Sequence, residues 1–111
     1  MKILDKIRYR MYRTSANDIN LQEARHILSQ DRTAVLIDVR SPQEYNEYHL
    51  EGAISLPLYE LGSKIFRIVP DKRTLIIVYC QYGGRSKKAE ATLKKMGYEN
   101  VYNIRGGLDN N

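Results

Sequence analysis

Cysteine, histidine and tryptophan are scarce in this chain. Its 111 residues include one cysteine, two histidines and no tryptophan. A single cysteine excludes an intrachain disulfide and any all-cysteine metal site, and two histidines, His26 and His49, argue against a structural zinc site. Long apolar runs are also missing, because the longest, at 75–79, is far shorter than the roughly 20 residues of a membrane-spanning helix. These absences predict a small soluble protein of a reducing compartment, the cytoplasm.

Positive charge is concentrated near the N-terminus. The chain has a net charge of +5, and residues 1–13 hold five basic side chains against one acidic one, a net +4. The body is therefore almost neutral, and no nucleic-acid partner is expected despite a pI near 9.4. We divide the chain into a basic N-terminal extension, 1–16, and one folded domain, 17–111. A solvated extension is the first expectation, and contact of its amphipathic pattern with a membrane or a partner is the second.

Strand and helix patterns alternate along the domain. Asn20 and Ser41 are each followed three residues later by glutamate, which predicts two helix starts with capping boxes. Apolar runs predict strands at 34–37, 52–56, 75–79 and 101–104. Amphipathic spacing predicts two further helices, at 59–68 and 85–96. This alternation predicts an α/β domain with a largely parallel sheet and helices on both faces.

The only cysteine lies where parallel sheets bind ligands. Cys80 follows the predicted central strand directly, and Gly83-Gly84 then leads to Arg85-Ser86 at the start of a helix. Two glycines allow backbone N–H groups to converge on an anion, and the helix N-terminus and the arginine add positive charge. A thiol in this field is expected to have a lowered pKa and to react as thiolate.

Each of these features also has a purely structural interpretation. A lone cysteine is commonly an apolar core residue, a glycine pair is often only a tight turn, and an arginine in a first helical turn is usually solvated. Their combination at one strand end favours a reactive, anion-binding Cys80.

The loop also carries a family resemblance. Cys80-Gln81-Tyr82-Gly83-Gly84-Arg85-Ser86 resembles the active-site loop of the rhodanese family, the thiosulfate and related sulfurtransferases. Three further segments resemble the family's D-V-R…E-[FY] segment, its H-[IL]-x-G-A segment, and its closing strand with a G-G turn: 36–45, 49–54 and 101–107. The four segments stand in the usual order and span nearly the whole predicted domain.

This resemblance implies a rhodanese-like α/β fold, with a central, mostly parallel sheet of about five strands and helices on both faces. It implies a sulfurtransferase in which Cys80 takes a sulfane sulfur from thiosulfate or a persulfide donor and holds it as a persulfide. The sulfur then passes to cyanide or to a thiol, either a small molecule or a thioredoxin-like protein. No metal and no organic cofactor is implied.

The resemblance also implies roles for the neighbouring residues. Substrate binding falls to the loop and to one arginine outside it: Gln81, Tyr82, Gly83, Gly84, Arg85, Ser86 and Arg40. Asp38 is expected to support the loop, while His49 is expected to be structural and His26 to lie on the surface.

Two alternatives and two departures accompany this interpretation. The spacing C-x4-R favours sulfur transfer over phosphatases and arsenate reductases, whose C-x5-R loop forms a wider cradle. The alternative function is a sulfur-carrier or interaction module that delivers persulfide sulfur to a partner protein. Tyr82 stands where many relatives have a small or polar residue, and Asn111 stands about where the family often has tryptophan.

Overall fold

The computed structural model describes residues 17–110. The predicted basic extension, 1–16, and the C-terminal position Asn111 lie outside the described residues. In the described part, no helix has the length and apolar character needed to cross a membrane.

Strands and helices alternate throughout the described chain. In order, the elements are β1 (Asp18–Ile19), α1 (Leu21–Gln30), β2 (Val35–Asp38), α2 (Pro42–Glu47), β3 (Ile54–Ser55), α3 (Leu58–Ile68), β4 (Leu75–Tyr79), α4 (Gly84–Lys95), β5 (Asn100–Ile104) and a short 3-10 helix (Leu108–Asn110). Both predicted capping boxes are present, with Asn20 and Ser41 as the N-cap residues of α1 and α2.

The five strands form one sheet in the order β1-β5-β4-β2-β3, and every pairing is parallel. The predicted fold class is therefore confirmed, with β4 as the central strand. Since all five strands run in one direction, the loops that follow β2 and β4 meet at the same edge of the sheet.

Two hydrophobic cores lie on opposite faces of the sheet, and alternate residues of each strand divide between them. On β4, Ile77 and Tyr79 pack into the core beneath α1, whereas Ile76 and Val78 pack into the core beneath α3 and α4. Cys80 continues the second series, so its side chain faces the α3–α4 side of the sheet.

The structure corrects three details of the predicted elements. β1 was not predicted, because it has only two residues, which pair with β5, and so short a strand leaves no periodic pattern in the sequence. The predicted strand at 52–56 is only Ile54–Ser55, since Gly52 occupies a turn with φ 84° and Pro57 precedes α3. The 3-10 helix at the C-terminal end was also not predicted.

Candidate active site

Cys80 lies at the carboxyl end of β4, where the chain turns into α4. Gly83 is the N-cap of α4 and has φ 106°, a left-handed conformation that glycine adopts without strain. This conformation folds the loop back over the cysteine, so that the first turn of α4 begins beside the sulfur. The thiol itself is buried, with 1% of the residue exposed.

Two backbone N–H donors and one hydroxyl group surround the sulfur atom of Cys80. The backbone N–H of Gly83 lies 3.0 Å from Sγ, and the N–H of Ser86 lies 3.3 Å from it. The Ser86 hydroxyl is also 3.3 Å from Sγ and 3.1 Å from the carbonyl oxygen of Gly83. The predicted anion-binding arrangement of loop N–H groups and helix N-terminus is therefore present around this sulfur.

These donors change the acidity of the thiol. Burial alone raises the pKa of Cys80, because it disfavours the charged thiolate. Hydrogen bonds from the hydroxyl and N–H of Ser86 and from the N–H of Gly83 act in the opposite direction and outweigh burial. The net effect lowers the pKa of Cys80 below its ordinary value, which favours the thiolate.

The C-terminal turn supports the back of the loop. The N–H groups of Leu108 and Asp109 donate to the carbonyl oxygens of Cys80 and Gln81, each at 3.0 Å. The Gln81 side-chain amide also donates to the Asp109 carboxylate. Gly107 allows this close approach, because a Cβ added there would lie 2.5 Å from the carbonyl oxygen of Gln81.

A buried ion pair holds the side chain of Gln81 from the other direction. Arg40 contacts the Asp38 carboxylate through Nε and Nη2, and the Nη2–Oδ2 distance is 2.8 Å. Its Nη1 donates to Oε1 of Gln81 at 3.0 Å, and Nη2 also donates to the carbonyl oxygen of Tyr48. Tyr79 completes the network, because its hydroxyl donates to Asp38 Oδ2 at 2.8 Å. Buried charge is thus paired and hydrogen-bonded directly behind the loop.

Arg85 makes a two-pronged ion pair with Glu44 of α2. Nη1 and Nη2 lie 2.6 Å and 2.9 Å from the two carboxylate oxygens. This hydrogen bonding lowers the pKa of Glu44 to about 2. Two of the five guanidinium donors are used in this pair. Within residues 17–110, the other donors of the half-exposed Arg85 side chain have no hydrogen-bond partner.

Comparisons with known proteins place this geometry in a family. The model of the rhodanese-like domain family matches residues 20–110. The chain belongs to the rhodanese-like domain family. The match covers every described element except β1. It includes the whole cysteine loop, the C-terminal turn behind it and the Asp38–Arg40 ion pair.

Individual relatives agree with this family. Thiosulfate sulfurtransferase PspE of Escherichia coli strain K12 is 46% identical over 72 residues, which cover 65% of this chain and 68% of that protein. A sulfurtransferase of Allochromatium vinosum is 30% identical over 92 residues, covering 83% of this chain and 84% of that protein. The structure of the human single domain sulfurtransferase TSTD1 has a TM-score of 0.74 and 27% identity, and the match covers 85% of this chain and 93% of that one. The predicted family, fold and enzyme class, a rhodanese-like sulfurtransferase, are confirmed.

The rhodanese-like domain brings the predicted site residues together. Gln81, Gly83 and Ser86 surround or support the sulfur, whereas Tyr82 projects outward with 71% of its surface exposed. Arg40 is buried, and its donors are directed at protein acceptors, so its predicted contact with substrate stays a prediction. Asp38 accepts hydrogen bonds from the backbone and side chain of Arg40, and its predicted support of the loop stays a prediction.

The two histidines lie away from the sulfur's contacts. His49 stacks on the ring of Tyr45 at 3.7 Å and hydrogen-bonds the Tyr45 carbonyl oxygen through Nδ1, a structural contact as predicted. His26 is exposed on α1, as expected. In residues 17–110, no group of three or more metal-binding side chains comes together.

Three residues of the site's support were not assigned this role from the sequence. Tyr79 and Asp109 reach the network through contacts between distant segments, which a linear pattern does not show. Glu44 was assigned to a capping box with Ser41 and to the D-V-R…E-[FY] segment, and the structure adds its pair with Arg85. A usable signal existed for Glu44, because a capping carboxylate has a second oxygen available to a cation.

An apolar groove lies next to Arg85 on the α3–α4 side. Its volume is about 330 Å³, and its walls are Val39, Ser41, Pro57, Leu58, Tyr59 and Arg85. Val39 shares a core with Cys80, and its N–H donates to the carbonyl oxygen of Tyr79 at 3.1 Å, so the groove adjoins the strand end that carries the cysteine. A larger groove of about 520 Å³ lies on the opposite face, against α1.

Proposed function

We propose that this domain transfers a sulfane sulfur from thiosulfate, or from a related anionic donor, to a thiol acceptor through a persulfide on Cys80. The observation that carries the proposal is the set of two backbone N–H donors and one hydroxyl group within 3.3 Å of the buried Sγ atom. A buried sulfur that is surrounded by N–H and O–H groups is arranged to stabilise negative charge on sulfur.

The first half-reaction loads the cysteine. The Cys80 thiolate attacks the outer sulfur of thiosulfate, a new S–S bond forms, and the original S–S bond breaks. The bonding pair leaves with sulfite, and Cys80 keeps the transferred sulfur as a persulfide anion. Because the attacking group is the thiolate, this step transfers no proton, and the lowered pKa of Cys80 increases the thiolate share.

The second half-reaction returns the cysteine to its starting state. A thiolate or cyanide attacks the terminal sulfur of the persulfide, and the bonding pair returns to Cys80 as thiolate. The products are a new persulfide or thiocyanate. The same loop donors stabilise the anion before and after transfer, so neither half-reaction requires the loop to rearrange.

The supporting contacts suit this cycle. Gln81 is held between Arg40 and Asp109, which keeps the loop N–H groups at fixed positions around the sulfur. The free donors of Arg85 attract the anionic donor molecule, while its pair with Glu44 fixes the guanidinium beside the groove. The distances of the Gly83 and Ser86 N–H groups to Sγ support a charge-stabilising role for both groups.

Intact-protein mass spectrometry tests the proposal. The full chain is incubated with thiosulfate and desalted, and we expect a gain of one sulfur atom on the wild type. Cyanide should remove that sulfur and release thiocyanate in equal amount. The matched control is Cys80→Ser, which should gain nothing.

Two outcomes would contradict the proposal. The first is that the wild type gains no sulfur from thiosulfate and also gains none from an organic persulfide. Hydrolysis of an aryl phosphate by the wild type but not by Cys80→Ser would instead favour a phosphatase.

A further inference from the structure

The two helices on the cysteine's side of the sheet form a basic surface. We define the α3–α4 face as the outward residues of Leu58–Ile68 and Gly84–Lys95. These helices contain seven basic and two acidic residues, a net +5, whereas the other described residues contain six basic and ten acidic ones, a net −4. The near-neutral total thus conceals a concentration of positive charge on these two helices.

Several cations on this face are free to meet a partner. Within these helices, Lys64 pairs with Glu60, and Lys87 and Lys94 both pair with Glu90. Arg67, Lys88 and Lys95 are exposed, and within residues 17–110 they have no ion pair or side-chain hydrogen bond.

Exposed aromatic residues accompany these cations. Tyr59 and Phe66 on α3 are 76% and 61% exposed, and their spacing of two turns places them on one side of the helix. Gly62 lies between them and has open space above its Cα, which leaves the surface between the rings flat. Exposed apolar groups in a row, with charged residues around them, are typical of a protein-binding surface.

This surface is continuous with the cysteine loop. Tyr59 and Arg85 are both walls of the 330 Å³ groove, and Arg85 belongs to the first turn of α4. The groove's other walls include Val39, whose side chain shares a core with Cys80. A partner that fills the groove therefore contacts Arg85, in the first turn of the helix that begins at the cysteine loop.

We propose that the α3–α4 face docks the protein that accepts sulfur from Cys80, and that this acceptor's reactive cysteine is flanked by an apolar side chain and by acidic residues. The apolar side chain fills the groove, and the carboxylates meet Arg67, Lys88 and Lys95. Phe66 lies about 10 Å from Tyr59 along α3, farther than a small thiol in the groove extends. Four of the six groove walls, Val39, Pro57, Leu58 and Tyr59, are apolar or aromatic, which suits an apolar side chain better than the phosphates of a nucleic acid. The proposal rests on the proposed function and specifies its acceptor.

Cysteine peptides of matched length serve as the probes. The first has a central cysteine flanked by leucines and then by glutamates, the second replaces glutamate with lysine, and the third replaces leucine with serine. The full-length protein is loaded with thiosulfate, and the rate of sulfur transfer to each peptide is measured. At low salt we expect the first peptide to react about tenfold faster than the second, because opposite charge accelerates encounter. This preference should shrink at high salt.

Charge-reversal variants locate the surface. The double variant R67E/K88E should slow transfer to the first peptide about tenfold. The control R25E/R32E changes the net charge equally at exposed positions outside the α3–α4 face, and it should leave that rate within about twofold. Phe66→Ala should slow the leucine peptides and leave the serine peptide unchanged.

The outcomes separate this proposal from the proposed function. If the wild type loads sulfur and releases thiocyanate but shows no peptide preference, docking on this face is refuted and the sulfurtransferase cycle stands. If R67E/K88E and R25E/R32E slow transfer to the first peptide equally, net charge alone would explain the effect, and the proposal would also be overturned. If the wild type binds RNA, if only R67E/K88E abolishes that binding, and if the three peptides react at equal rates, the face would be assigned to a nucleic acid.

Discussion

Replacement of Tyr79 by phenylalanine tests whether the buried network behind the loop stabilises the fold. The Tyr79 hydroxyl donates to Asp38 Oδ2 at 2.8 Å and accepts the backbone N–H of Leu50 at 3.0 Å. The side chain is fully buried, and burial raises the pKa of Tyr79, so the hydroxyl keeps its proton at all ordinary pH values. Phenylalanine keeps the ring and removes only these two hydrogen bonds.

The expected cost follows from the two lost contacts. Leaving the buried N–H of Leu50 without its acceptor costs about 1–3 kcal/mol, and a hydrogen bond to a charged carboxylate contributes about 1.5–3 kcal/mol. Arg40 still neutralises Asp38, which reduces the second loss. We therefore expect Tyr79→Phe to lower the free energy of unfolding by about 3 kcal/mol, or the Tm by about 10 °C.

Urea denaturation of the full chain measures this change, and two other tyrosines give a graded comparison. The Tyr98 hydroxyl donates only to the carbonyl oxygen of Val69, so Tyr98→Phe should cost about 1 kcal/mol. Tyr102 makes no side-chain hydrogen bond within 17–110, and Tyr102→Phe should be neutral. A loss for Tyr79→Phe no larger than that for Tyr98→Phe would refute the reasoning, because the ion-paired carboxylate would then add nothing.

Three further predictions concern the loop itself. The Glu44–Arg85 pair, whose carboxyl pKa is about 2 in the fold against an ordinary 4.5, should contribute stability above pH 4.5 that is lost as the pH falls toward 2. Glu44→Gln should therefore lower the free energy of unfolding by about 1 kcal/mol at pH 7, after allowance for solvent screening, and by nothing near pH 2. The rate of Cys80 alkylation should rise at a lower pH than the rate for a free thiol, because the pKa of Cys80 is lowered. Ser86→Ala should shift this rise to higher pH, and an unchanged pH profile would exclude a contribution from the hydroxyl. Gly107→Ala should reduce thiocyanate formation by about 10²-fold, because its Cβ would displace the loop, whereas Gly62→Ala, which has open space, should not reduce it.

Much of this fold is encoded locally, and the sequence therefore predicts it. The central strand Leu75–Tyr79 is a continuous apolar run, and Ser41 with Glu44 forms a capping box as its spacing requires. The position of Cys80 at a strand end, with glycines and a helix after it, also follows from neighbouring residues. Features whose cause lies within a few residues of chain leave a pattern that can be interpreted without a structure.

Features that depend on contact between distant segments were not predictable in this way. β1 pairs with β5, which is more than eighty residues away, through only two register positions. The hydroxyl of Tyr79 reaches Asp38 across 41 residues, although the sequence pattern indicates only that Tyr79 ends a buried strand. The position of Asp109 beneath Gln81 depends in turn on a short 3-10 helix that has no periodic pattern of its own.

The closing glycine pair shows how a weak motif acquires a specific meaning from the fold. In sequence, Gly106-Gly107 stands 26 residues after Cys80 and suggests only a turn. In the structure both glycines have positive φ, and the chain beyond them donates two N–H groups to the carbonyl oxygens of Cys80 and Gln81. The carbonyl of Gln81 belongs to the same planar peptide group as the N–H of Tyr82, and that N–H is one of the backbone groups whose hydrogen bonds lower the pKa of Cys80. By holding the Gln81 carbonyl from behind, the turn therefore helps to fix the direction of a peptide group that favours negative charge on the sulfur.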